Sequence, residues 1–179
     1  QIYDKYADAI SVLTDKKFFD GNLTDMETVS ELSRLPILRK DFIIDEYQIY
    51  ESRLHNADAI LLIASVLSNG KLNDFINLAK SYSMDCLVEI NNEEELGRVL
   101  GSDADIIGIN NRNLNTLKID TETTINLMNT ALSKAFPTAS IEVFDDKAEH
   151  IGHAHQDSGH FTVVIKSPVF EGKTPIQQH

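Results

Sequence analysis

The chain has 179 residues, 42% of them hydrophobic, enough for one domain or a domain with a further piece, and for a real apolar core. Its net charge of -12 argues against a nucleic-acid or anionic-membrane surface as the main partner, while leaving room for a local basic pocket that takes an anionic substrate. A single Cys86 excludes a disulfide within the chain, and no signal peptide or bilayer-length apolar run is visible, so a reducing cytoplasm is the expected setting.

Five apolar runs read as strands, at about 9–13, 36–40, 59–64, 86–90 and 106–110. Continuous rather than alternating runs suit parallel strands covered on both faces. A weak repeat supports this: Ala7-Asp8-Ala9-Ile10, Ala57-Asp58-Ala59-Ile60 and Ala104-Asp105-Ile106-Ile107 recur at offsets of 50 and 47, about two compact βα units each. Between the runs, helices are predicted over Thr24–Leu32, Asp45–His55 with Asp45 as N-cap, Leu72–Tyr82, Asn92–Leu100 and Thr121–Leu127. The three Glu that open the fourth of these suit the positive end of a helix dipole. Alternating β and α elements predict a parallel α/β architecture.

Beyond Leu127 the pattern changes. Met128–Phe136 reads as a separate short helix stopped by Pro137, and Ser140–Phe144 and Phe161–Lys166 as strands around a His- and Gly-rich loop. Five of the six His lie in the last 30 residues, and the acidic excess falls from 22 Asp/Glu against 12 Lys/Arg up to Leu127 to 6 against 4 beyond it. We therefore divide the chain into 1–127, α/β, and 128–179, α+β.

Three of the strands end in polar groups: Lys40, Glu89, and Asn110 with Arg112. In a β/α barrel such ends share one mouth, where active sites sit. A Lys there can donate a proton, and an Arg can clamp a carboxylate or phosphate; the alternatives are a solvated loop lysine, a structural ion pair of Glu89 with a partner such as Lys40, and a turn built on Asn residues. Phe18, Phe19 and Phe42 are placed to wall an aromatic substrate or simply to fill core. His150, His153 and His155 have metal-capable spacing, against the alternative of a solvated loop.

Ala9–Asp15, Lys17-Phe18-Phe19, Leu38–Asp45, Leu87–Asn91 and Ile107–Leu114 together closely resemble indole-3-glycerol-phosphate synthase, in order, over about 1–127. The resemblance implies strands two to six of a (β/α)8 TIM barrel, five of eight, in an enzyme of tryptophan biosynthesis. That enzyme closes the ring of 1-(2-carboxyphenylamino)-1-deoxyribulose 5-phosphate with loss of carbon dioxide and water, without cofactor or metal. By motif match Lys40 corresponds to the general acid, Glu89 to the general base, Asn110 and Arg112 to the substrate loop, and Phe19, Phe42, Leu61 and Leu114 to the packing around the aromatic ring. The family's first strand, with its Glu-x-Lys pair, is expected before residue 1, and its seventh and eighth strands, with a Glu-Ser-Gly motif and a Gly-rich phosphate loop, do not follow Leu127. Open sheet edges, and self-association through them, are expected.

Ala135-Phe136-Pro137, Ile141–Asp146, His150–Ala154, Gly159–Ile165, Phe170–Thr174 and His179 resemble the BolA family over about 128–179, stopping before that family's last helix. This implies a partial α+β, KH-like module that pairs with a monothiol glutaredoxin and shares an iron–sulfur cluster, with His179 and a loop His, His153 or His155, as ligands. Three expectations follow: a synthase-type enzyme, a BolA-like binding module, or a chimera in which neither part functions.

Overall fold

The computed structural model describes residues 3–111, 121–145 and 161–171. They form two compact units: one gathers the described residues up to Ile90 with Gly97–Gly108, the other Asn91–Leu96 with the described residues from Ile109 onward.

The elements in chain order are α1 (Tyr3–Tyr6), β1 (Ile10–Leu13), α2 (Lys16–Phe19), α3 (Leu23–Leu32), β2 (Ile37–Lys40), α4 (Glu46–Leu54), β3 (Ala59–Ile63), α5 (Asn69–Ser81), β4 (Asp85–Ile90), α6 (Glu93–Leu100), β5 (Ile106–Ile109), α7 (Thr121–Ala135), β6 (Ser140–Asp145) and β7 (Phe161–Lys166). A 3-10 turn, Pro168–Phe170, follows. Strands β1 to β5 lie in sequence order in one sheet, with parallel pairing read directly for β1 to β4. This is the α/β architecture of a TIM-barrel segment, and each predicted strand is present to within a residue or two.

The sequence encodes the helix starts in side chains that satisfy free backbone N–H groups. Asn22 accepts from the Asp25 amide at 2.8 Å to begin α3. Asp45 and Gln48 form a reciprocal capping box that begins α4. Ser68 caps α5, which starts three residues before the apolar spacing that marks it in the sequence. At the other rim of the sheet, two acids of the Ala-Asp repeat are structural. Asp58 accepts from the Ile37 amide at 2.9 Å, and Asp105 pairs with Lys80 at 2.7 Å.

The two sheet faces differ. One carries Val12, Ile37, Arg39, Ile60, Leu62, Cys86, Val88 and Ile90, all buried, and forms the core with Met26, Ile49, Leu72 and Ile76 from the helices. The opposite face carries Leu13, Lys40, Leu61, Ile63, Leu87, Glu89 and Gly108. Only its centre is covered: Leu61 and Ile63 are buried, Leu87 is half-buried, and Leu13 and Ile106 at the outer strands are 39% and 47% exposed. Coverage of both faces, expected from the apolar runs, holds for central β3 and fails toward β1 and β5. Those two strands are the sheet's edges among the described residues.

In the second unit, Thr121–Ala135 is one continuous 15-residue helix, not two short ones. No Gly or Pro interrupts 121–135, so the change of composition at Leu127–Met128 does not break the hydrogen-bond ladder, and Pro137 supplies the stop. β6 and β7 pair antiparallel, with Ile141 opposite Ile165 and Val143 opposite Val163 on one face. Phe136 after α7 packs on Phe170 with ring centroids 5.6 Å apart. No helix among the described residues is long and apolar enough to cross a membrane.

Candidate active site

β2 delivers Lys40 as its last residue. Strand alternation sends Ile37 and Arg39 into the helix-covered core and Leu38 and Lys40 to the opposite face, where Lys40 is exposed. The Lys40 carbonyl accepts from the Thr14 amide at 3.2 Å, so the end of β2 is held by the end of β1. Among the described residues Lys40 has no ion-pair partner.

β4 delivers Glu89. Its register partner on β3 is Ile63, its carbonyl accepts from the Ala64 amide at 2.9 Å, and its side chain is half-buried. Leu61 pairs with Leu87 on the same face, between the strands of Lys40 and Glu89. Gly108 leaves room there: a Cβ at that position would lie 3.3 Å from the Leu87 side chain.

The aromatic residues gather just beyond the ends of β1 and β2. Phe19 stacks on Phe42 at 6.3 Å between centroids with a 25° interplanar angle, and Phe18 meets Phe42 edge-on at 5.7 Å. The three are not core: Phe18 is 65% exposed, Phe19 54% and Phe42 36%. An exposed aromatic cluster beside a cation suits a planar, anionic aromatic group.

In the second unit, the Asn91 side chain donates to the Asn110 carbonyl at 3.1 Å. The buried Glu95 carboxylate accepts from the Asn91 amide at 2.7 Å and the Asn92 side chain at 2.8 Å. Arg112, expected in a substrate loop, Leu114, expected against the aromatic ring, and His153, His155 and His179 lie outside the described residues. Among the described residues no three His, Cys, Asp or Glu side chains group as metal ligands.

The sequence reading assigned no role to Arg39, Thr14 or Asp41. Arg39 is 3% exposed and donates to Thr14 Oγ1 at 3.0 Å, Asp41 Oδ2 at 2.9 Å and Glu51 Oε2 at 2.9 Å, and to Ser52 Oγ and the Gln48 carbonyl at 3.0 Å each. Thr14 in turn donates to Asp41 Oδ2 at 2.7 Å. The available signal was a charged residue inside an apolar strand, one place before the catalytic candidate.

Two family models match the chain: one described as indole-3-glycerol phosphate synthase over residues 1–154, and one as BolA-like protein over 132–179. An indole-3-glycerol phosphate synthase of Thermoanaerobacter sp. (strain X514) is 54% identical over 129 residues, covering 72% of this chain and 49% of that protein. That of Lachnospira eligens is 48% identical over 122 residues, 68% and 46% respectively. The tryptophan biosynthesis protein TrpCF of Buchnera aphidicola subsp. Acyrthosiphon pisum is 53% identical over 119 residues, 66% of this chain and 26% of that one. Among solved structures, 3-hexulose-6-phosphate synthase superposes with a TM-score of 0.55 at 14% identity, over 71% of this chain and 65% of its own, a likeness of fold alone. The chain spans about half the length of the curated synthases it matches.

Proposed function

The chain belongs to the indole-3-glycerol phosphate synthase family, and on that premise we propose that its site performs that family's ring closure on 1-(2-carboxyphenylamino)-1-deoxyribulose 5-phosphate. The observation that carries the proposal is the placement of Lys40, Leu61 and Glu89 on one sheet face, with Phe19 and Phe42 stacked beside the end of β2.

In the proposed reaction the substrate's aromatic ring lies against Phe19, Phe42 and Leu61; parts for Leu114 in that packing and for Asn110 and Arg112 with the anionic groups rest on the family motif alone. The ring carbon that bears the carboxylate attacks the ribulose carbonyl carbon. Lys40 gives a proton to the carbonyl oxygen, so that no free alkoxide forms. Carbon dioxide leaves, and the electron pair of the broken bond restores the aromatic ring. The new hydroxyl then departs with a second proton as water, while Glu89 accepts the proton lost from the adjacent carbon of the five-membered ring. Lys40, reprotonated from solvent, serves the two donations and Glu89 the one abstraction, and on alternate strands they do not neutralise each other. This chemistry is proposed to need no cofactor, in a cytoplasmic setting.

Titration with the alditol made by reducing the substrate's carbonyl, read by quenching of the five tyrosines in a chain without tryptophan, tests the binding half. Saturable quenching reversed by substrate supports the proposal; no saturation up to about 1 mM overturns it.

A second reading applies to the C-terminal part, supported by the BolA-like match over 132–179 and the helix–strand–strand order of α7, β6 and β7. It assigns a monothiol glutaredoxin partner and an iron–sulfur cluster held through His179 and either His153 or His155. The division at Leu127–Met128 belongs to this reading and falls within α7. Anaerobic co-purification with a monothiol glutaredoxin is expected to give a complex whose cluster absorbance is lost in His179→Ala; recovery of no complex contradicts it.

A further inference from the structure

We propose that Arg39, Thr14 and Asp41 are positioning residues for the proposed site, a buried charged clamp that fixes where Lys40 and Phe42 present their side chains. The inference rests on the assignment of Lys40 and Phe42 to that site.

Lys40 lies between two residues whose side chains are both locked. On one side Arg39 reaches α4 through Glu51, Ser52 and the Gln48 carbonyl. On the other side Asp41 accepts from Arg39 and from the Thr14 hydroxyl through Oδ2, and from the Phe42 amide at 2.8 Å through Oδ1. Gln48 closes the loop, donating to the Phe42 carbonyl at 3.0 Å. Residues 39 to 42 are thus tied to β1 and to α4, and the only side chains in that stretch outside the clamp are those of Lys40 and Phe42.

The energetics favour a positioning role. Burying a guanidinium with two carboxylates carries a desolvation cost that its Coulomb gain barely offsets, and an apolar set of equal volume would hold β2 to α4 as well. An apolar set has no directional bonds, whereas a planar fork with fixed acceptors sets the strand end in one orientation. That matters where a small misplacement of an acid costs a large factor in rate.

The test uses the full chain and the variants Asp41→Asn, Thr14→Val and Thr14→Ser. The first readout needs no turnover: competitive acetylation resolved by mass spectrometry, comparing Lys40 with Lys71 and Lys134 in the same sample. Asp41→Asn and Thr14→Val are expected to change the relative rate at Lys40 by about threefold or more, leaving the other two lysines within experimental error, and Thr14→Ser to restore it. The second readout is steady-state turnover, with kcat expected to fall about tenfold and KM to change less than about twofold. If Lys40 reactivity stays at the wild-type value in both variants while only Tm falls, the clamp is structural and the proposal is overturned. If wild type shows no turnover but Lys40 reactivity still shifts, the assignment of the reaction fails and the clamp stands. Should Thr14→Val not fold, Asp41→Asn decides alone.

Discussion

Lys40 and Glu89 stand on the same face of the sheet, at the C-terminal ends of β2 and β4, with β3 between them. Two strand spacings separate them laterally by roughly 10 Å. That gap would keep the proposed acid and base apart, on either side of a planar substrate. Lys40→Arg retains the charge but binds its proton too tightly to donate it. We expect kcat to fall by about 10²-fold or more, while affinity for the reduced analogue changes by less than about threefold, measured by single-turnover kinetics and fluorescence titration.

The exposed rings make a second case. Phe42 is 36% exposed and touches two rings, so Phe42→Ala is expected to lower stability by about 2 kcal/mol from lost burial and ring contacts. Its binding of the reduced analogue is expected to be about tenfold weaker. Equal affinity in variant and wild type would remove Phe42 from the substrate wall.

Gly21 sets the path of the segment that carries Phe18 and Phe19. Its amide donates to the Asp15 carbonyl at 3.0 Å, and a Cβ there would lie 2.2 Å from the Leu13 carbonyl oxygen. Backbone cannot yield as a side-chain tip can. Gly21→Ala is expected to cost about 2–4 kcal/mol in urea unfolding and to weaken analogue binding by moving the Phe19 ring.

Cys86 is buried at 3% exposure, and that burial pushes its thiol up to about 12. Between the ordinary thiol value of 9.0 and about 12 the native state keeps a proton that the unfolded chain releases. The stability from this group is therefore complete below pH 9 and is lost as pH rises toward 12. Native protein is expected to resist iodoacetamide at pH 8 and to react fully in urea. Cys86→Ala is expected to flatten part of the alkaline fall in stability; the Lys80–Asp105 pair, which raises the lysine, keeps the remainder.

The strands were legible because short apolar runs such as Ile60–Ala64 and Cys86–Val88 stand between turn residues, and α4 because Asp45 reads as its N-cap. The unbroken α7 was not, since a shift in composition at Leu127–Met128 resembles a boundary although every residue there tolerates a helix. Partial exposure of Leu13 and Ile106 was equally hidden: hydrophobicity marks a residue fit for burial, not whether anything covers it. The Arg39 clamp depends on which face of β2 meets which turn of α4, a tertiary fact absent from local pattern. Lys40 and Glu89 were visible as polar ends of apolar runs, but their common face required the register.

Lys40 and Glu89 are proposed to carry out ring closure from one face of this sheet. Single-turnover reaction of excess protein with the anthranilate-derived ribulose phosphate, followed by the fluorescence of the indole product, tests it most directly. The account predicts product with wild type and a loss of about 10²-fold or more in Lys40→Ala and in Glu89→Gln, each still folded by circular dichroism. Equal rates in all three proteins, or no product with wild type, would contradict it.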